Sequence, residues 1–255
     1  MNASPDGTPD GSPAPTPAFG PSRRIAAWGV HLYTALGLAC AARMAILIAV
    51  GGRLDLTHAF LWMLAACFID GTDGFLARRV GVKEVLPGFD GRKLDDIVDF
   101  QTYTSLPLLL LWRAHVLPAG YEGWLLFPLL ASAYGFCQSE AKTGDGYFLG
   151  FPSYWNVVAF YLVELQIGPW PALALIILFA TLTFVPTKYL YPSQGGPFSA
   201  LMLTGGAVYI VLMLAILLGW QWNRQAMIWL SLSYPLSYLA ASWIVTISGS
   251  RPVRR

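Results

Sequence analysis

Seven of the fourteen acidic residues lie between Asp70 and Asp99, in the stretch DGTDGFLARRVGVKEVLPGFDGRKLDDIVD. Asp70 and Asp73 are three apart, and Asp95 and Asp99 four apart, so each pair projects from one helical face. Two antiparallel neighbouring helices with this spacing could bring four carboxylates together. Four anions cannot share a partly dehydrated site unless cations neutralise them. All-oxygen ligands favour hard ions such as Mg²⁺ or Mn²⁺, and a pair of them ~4 Å apart suits displacement at phosphorus. Gly74 and Ala77 keep bulk off the face that carries Asp73. Arg78, one turn on, is suited to gripping a phosphate, and Gly91, one turn before Asp95, lets a backbone or ligand come close. Asp90 and Asp96 fall off these faces and are expected to be solvated.

The elements that must position these groups are membrane helices. Over 255 residues, 56% are hydrophobic, 14% aromatic and 12% charged, whereas a soluble domain carries about 25% charge. A net charge of +2 is too balanced for a nucleic-acid binder. Eight continuous apolar segments, approximately 26–50, 56–77, 97–117, 122–139, 153–168, 170–188, 198–220 and 225–247, are each near the ~20 residues that span a bilayer as a helix. The second and fifth are short or interrupted. The expected fold is therefore an all-α integral membrane protein of about eight spans. Residues 1–21, with six prolines, predict a disordered cytoplasmic tail without signal-peptide character. Cys40, Cys67 and Cys137 read as small core residues.

With eight spans, twelve Lys and Arg fall on one side and three (Arg53, Arg113, Arg224) on the other, which places both termini in the cytoplasm. From Leu56 to Asp70 there are fifteen residues, about 22 Å of helix. Asp70 should thus lie below the membrane surface, where acids face a polar cavity or a metal. Arg43 lies inside the first span and Glu164 at similar depth in the fifth, so the two are expected to pair.

Asp70-x2-Asp73-Gly74-x2-Ala77-Arg78 followed by Gly91-x3-Asp95-x3-Asp99 resembles the signature of the CDP-alcohol phosphatidyltransferases, eight positions in order on two adjacent spans. The twelve residues between Arg78 and Gly91 exceed the spacing in most of that family. In this the chain is similar to the bacterial branch that uses choline as acceptor, which tends to have two spans beyond a six-helix core. The resemblance implies a catalytic core over 22–190 and two additional helices with a basic C-terminus over 191–255. It implies Asp70, Asp73, Asp95 and Asp99 as ligands of two divalent cations (Mn or Mg), with Asp99 also the general base. Gly74, Ala77 and Arg78 would cradle the cytidine diphosphate of CDP-diacylglycerol, and CMP would be released. A homodimer in the bacterial inner membrane, with a cytoplasmic active site, is implied as well.

The connection Gln138–Asn156 bears on the acceptor. It combines two acids, five aromatics and one lysine. A quaternary ammonium is held by cation–π faces with a nearby carboxylate, and Tyr154 and Trp155 with Glu140 or Asp145 could build such a box. An aromatic belt at the membrane surface is the other reading. Phosphorylated acceptors would need more cations than Lys142. The block Gly150–Asn156 is similar to a stretch typical of choline-using members, so choline is expected and serine is the alternative. A cation transporter would use the same carboxylates, but it predicts acids near the midplane and an internal repeat; these acids cluster at one face. Lys188, Tyr189 and Tyr191 fit lipid contact or a positive-inside flank equally, and Trp220, Trp222 and Trp229 fit an outer aromatic belt.

Overall fold

The computed structural model describes residues 19–138, 147–190, 198–220 and 223–249. Helix α1 (Pro21–Val50) starts on a proline at its first turn and ends at Gly51, whose φ of +75° and N–H to Leu47 O close the last turn. Gly52 then caps α2 (Arg53–Val80), where the Asp55 carboxylate accepts from Gly52 N at 3.2 Å. The Gly51-Gly52 pair thus makes α1 and α2 an antiparallel hairpin. Helix α1 begins five residues before the expected span, because the disfavoured proline ring is harmless at a helix start.

After the short α3 (Val82–Val85), α4 (Gly91–Asp99) is capped by the Asp90 carboxylate, which accepts from Arg92 N and Lys93 N at 3.1 and 3.3 Å. Asp90 is therefore a capping group rather than a merely solvated one. A π-helical turn, Phe100–Ser105, joins α4 to α5 (Leu106–Arg113) without a break, and Leu106 N bonds to Gln101 O, five residues back. Pro107 supplies the reason. It has no N–H to offer Tyr103 O, so the regular ladder cannot run through this point.

A 3₁₀ turn at Glu122–Leu125 leads into α6 (Leu126–Cys137). Next come strand β1 (Tyr147–Leu149), α7 (Trp155–Glu164), α8 (Pro169–Leu182) and strand β2 (Lys188–Leu190). The strands pair antiparallel, with Phe148 opposite Tyr189. Helices α9 (Ser199–Leu217) and α10 (Arg224–Gly249) close the described chain.

One contiguous core runs through Met44, Phe60, Leu110, Trp155, Ile176 and Tyr189 and continues into Ile216 and Ile228 of the last two helices. Large apolar side chains are also exposed, among them Leu32, Phe68, Trp112, Leu130, Leu201 and Trp229, as a lipid-facing surface requires. Among the described residues four helices are long and apolar enough to cross a bilayer: α1, α2, α9 and α10. The chain is an all-α membrane protein. Helix α7 has ten residues, about 15 Å, because the chain before it enters the interior as a strand and loop.

Two sequence expectations change. Glu164 pairs with Arg224 at 2.7 Å, and Arg43 is exposed on α1. Glu164 closes α7 where α10 begins, so the two charges meet at one end of the bundle. Cys40 is buried, but Cys67 is half-buried and Cys137 exposed, since Cys137 sits at the last position of α6.

Candidate active site

The helical hairpin and α4 meet through small residues. A Cβ on Gly37 would collide with Val98, and one on Gly91 would lie 2.6 Å from His31 Cε1. The close approach that Gly91 permits is therefore made by the imidazole of α1. With α2 and α4 drawn together, Asp70, Asp95 and Asp99 each offer an oxygen within 4.8 Å of the others, all half-buried. Asp73 goes elsewhere. It is 7% exposed, and its Oδ2 accepts a 2.7 Å hydrogen bond from Thr34 Oγ1. Three residues along a helix turn the side chain about 60° short of a full rotation, enough to aim Asp73 at α1.

The three clustered carboxylates open into a cavity of about 390 Å³ that Asp96 and Arg92 also line, a volume within the usual range for small-molecule sites. Asp96 is thus half-buried on the cavity wall rather than solvated. The cavity is also lined by aromatic side chains: Tyr103, Phe136, Phe148, Phe151 and Tyr154. Tyr103 donates from its hydroxyl to Asp70 Oδ2 at 2.7 Å, and its ring centroid is 6.4 Å from that of Tyr154. The spacing Asp95, Asp99, Tyr103 repeats every four residues, a signal that could have placed Tyr103 beside the acids. Arg92, three, four and seven residues before Asp95, Asp96 and Asp99 on the same helix, carried the same kind of signal, whereas Phe148, on a strand, carried none.

The expected aromatic pair divides. Tyr154 lines the cavity, whereas Trp155 is fully buried and its indole Nε1 donates to Ser132 Oγ at 2.8 Å. Trp155 opens α7 and Tyr154 precedes it, so consecutive side chains diverge by about 100°. Trp155→Phe is expected to strand the Ser132 hydroxyl and cost about 1–3 kcal/mol of stability. The check is detergent thermal denaturation together with the acceptor KM, which should stay near the wild-type value. Glu140 and Asp145 lie outside the described residues.

Gly74, Ala77 and Arg78 continue along α2 beyond the cluster. Arg78 is exposed, and a Cβ on Gly74 would sit 3.3 Å from Arg78 Nη1. The guanidinium therefore folds back over the glycine, held near the helix surface on the side where an anion could approach.

A polytopic helical membrane protein with an all-oxygen cluster able to hold a metal ion beside an aromatic-walled cavity is the class these features define. No protein-family model matches the sequence. The chain is 38% identical over 192 residues to the phosphatidylcholine synthase of Pseudomonas aeruginosa, covering 75% of this chain and 79% of that one. It is 37% identical over 230 residues to that of Legionella pneumophila, covering 87% and 89%, and 34% identical over 171 residues to that of Borreliella burgdorferi, covering 67% and 72%. The chain belongs to the phosphatidylcholine synthase family.

Proposed function

We propose that this chain transfers the phosphatidyl group of CDP-diacylglycerol to choline and releases CMP, as a CDP-alcohol phosphatidyltransferase. The observation that carries this reading is one cavity holding both a carboxylate cluster and an aromatic wall. The cluster suits a hard cation, and the wall suits a quaternary ammonium.

Asp70, Asp95 and Asp99 fit a divalent ion by donor type and by their mutual reach within 4.8 Å. A bound Mg²⁺ or Mn²⁺ would supply charge neutralisation at the phosphoryl oxygens. The second ion and the participation of Asp73 rest on the motif resemblance. The protein's own groups do the rest. Asp99 accepts the proton of the choline hydroxyl as its oxygen bonds to the β-phosphorus and the phosphorus–oxygen bond to CMP breaks. Gly74, Ala77 and Arg78 hold the nucleotide diphosphate, and Arg92 adds a second cation at the cavity. Tyr154, Phe148 and Tyr103 present ring faces to the trimethylammonium head, with Asp96 offering a carboxylate on the same wall. Trp155 contributes through packing.

In the same proposal, residues 22–190 form the catalytic unit and 191–255 add two further spans, making about eight in all. The protein works as a homodimer in a bacterial inner membrane, with both termini and the site facing the cytoplasm. The asymmetry of Lys and Arg supports that orientation.

The test is CMP release by full-length protein in detergent with CDP-diacylglycerol, comparing choline, serine, glycerol phosphate and inositol, with divalent metal or chelator. Release with choline and metal, abolished by chelator, is expected. Release with serine in place of choline, or release that survives chelation, would overturn the reading. Tyr103→Phe removes the hydroxyl that orients Asp70. It is expected to weaken apparent metal affinity or rate about 10–100-fold, read from Mn²⁺ titration of the same assay.

A further inference from the structure

The last helix reaches the site without lining it. Strand β2 meets β1 along one edge, and along its other edge the backbone groups of Lys188 and Leu190 are taken by side chains of α10. Leu190 N donates to Ser242 Oγ at 3.1 Å, and Leu190 O accepts from the Tyr238 hydroxyl at 2.9 Å. Lys188 N donates to Thr246 Oγ1 at 2.9 Å, and the Thr246 hydroxyl has Lys188 O and Ser242 O each at 3.1 Å. Tyr238, Ser242 and Thr246 are spaced by four, so they form one stripe of α10. Each supplies to the strand what a third strand would supply.

Such partners matter here because this edge runs from the half-buried Lys188 into the bundle at Leu190. Tyr189 is fully buried, Leu190 is 4% exposed, and Ser242 is fully buried. Backbone groups left unpaired in apolar surroundings cost several kcal/mol each. Hydroxyl-bearing side chains on a membrane helix therefore have a purpose that lipid contact would not give them.

What the stripe holds is the wall of the cavity. Strand β1 carries Phe148 and runs directly into Gly150–Tyr154, which places Phe151 and Tyr154 on the same wall. The Tyr238 ring is 5.9 Å from Tyr154 and 6.4 Å from Tyr189, and Tyr189 is 6.3 Å from Phe151. Contacts thus run from α10 through β2 and β1 to the aromatic rings and on to Tyr103 and Asp70. The nucleotide-side residues Gly74, Ala77 and Arg78 lie on α2, off this path.

We propose that Tyr238, Ser242 and Thr246 are positioning residues for the acceptor: they fix the β1–β2 ribbon and thereby the spacing of the aromatic wall that receives the choline head. This rests on the choline-transfer reading above. It gives α10 a part in acceptor recognition that its sequence, remote from the aspartate motif, does not announce.

Full-length Ser242→Ala, Thr246→Val, the two combined, Tyr238→Phe and Thr246→Ser would be purified in detergent. For each, kcat and the KM values for choline and CDP-diacylglycerol would be measured, with thermal denaturation alongside. The double variant removes three hydrogen bonds to β2 and is expected to raise the choline KM roughly tenfold, the part of that loss that reaches the aromatic wall. The KM for CDP-diacylglycerol should move less than about twofold on the same scale. Thr246→Ser, which keeps the hydroxyl, should restore near-wild-type choline KM. A merely structural role would lower the folded fraction or kcat without separating the two KM values. Folded variants with unchanged choline KM, or with both KM values raised equally, would overturn the proposal. If the double variant does not fold, Tyr238→Phe, which loses one hydroxyl and keeps the ring, decides it by the same split. Wild-type protein without choline-dependent CMP release would instead sink the choline reading itself.

Discussion

Asp99→Asn is expected to lower choline-dependent CMP release by about 10²–10⁴-fold, the range for loss of a general base. Asn keeps the size of the side chain but cannot accept the hydroxyl proton, and it removes one of the three charges that meet within 4.8 Å. Asp99 is the last residue of α4, immediately before the π-helical turn, so its backbone is set by that irregular turn. The fold should therefore survive. Stability without metal should be equal or higher, because one like-charge repulsion disappears. Two measurements separate the parts of the argument. If saturating Mn²⁺ restores the rate, Asp99 acts as a ligand only and the base lies elsewhere. If the rate falls less than about tenfold at any metal concentration, the general-base assignment fails.

Gly150→Ala carries the largest expected structural effect. Gly150 has φ of +78°, and a Cβ there would run into the carbonyl oxygen of Thr183, a backbone atom that cannot rotate aside. Its N–H also donates to Thr187 O at 2.9 Å, which ties the end of β1 to the segment leading into β2. The left-handed backbone and the collision together should cost about 2–5 kcal/mol, or roughly 5–15 °C in Tm for a chain of this size. Because Gly150 lines the cavity between Phe148 and Phe151, the surviving folded fraction should bind choline more weakly. Detergent thermal denaturation reads the first effect and the choline KM the second. A Tm within about 2 °C of wild type would mean that the ribbon moves freely away from α8, and the close approach would lose its significance.

Much of this architecture was legible without coordinates. The long apolar runs specify α1, α2, α9 and α10, since a bilayer-length helix needs little beyond continuous apolar residues with glycine or proline at its ends. The spacing of Asp70 with Asp73 and of Asp95 with Asp99 marked a cation-type cluster of four carboxylates, because side-chain direction along a helix follows from residue number alone; three of the four meet. The glycines at the ends of α1 and α2 follow from equally local rules.

What the sequence could not settle was which neighbour each face would meet. Asp73 shares a helix with Asp70 but bonds to Thr34, because α1 packs on that side of α2. Glu164 takes Arg224, sixty residues later, over Arg43. Trp155 turns into the core against Ser132 while Tyr154 turns to the cavity. Strands β1 and β2 pair across the whole of α7 and α8, and α10 supplies their outer partners. Helix periodicity is local and assigns directions, so the faces of single helices could be read one segment at a time. Partners are assigned by packing, which depends on contacts between residues far apart in sequence, and those contacts exist only once the whole bundle has formed.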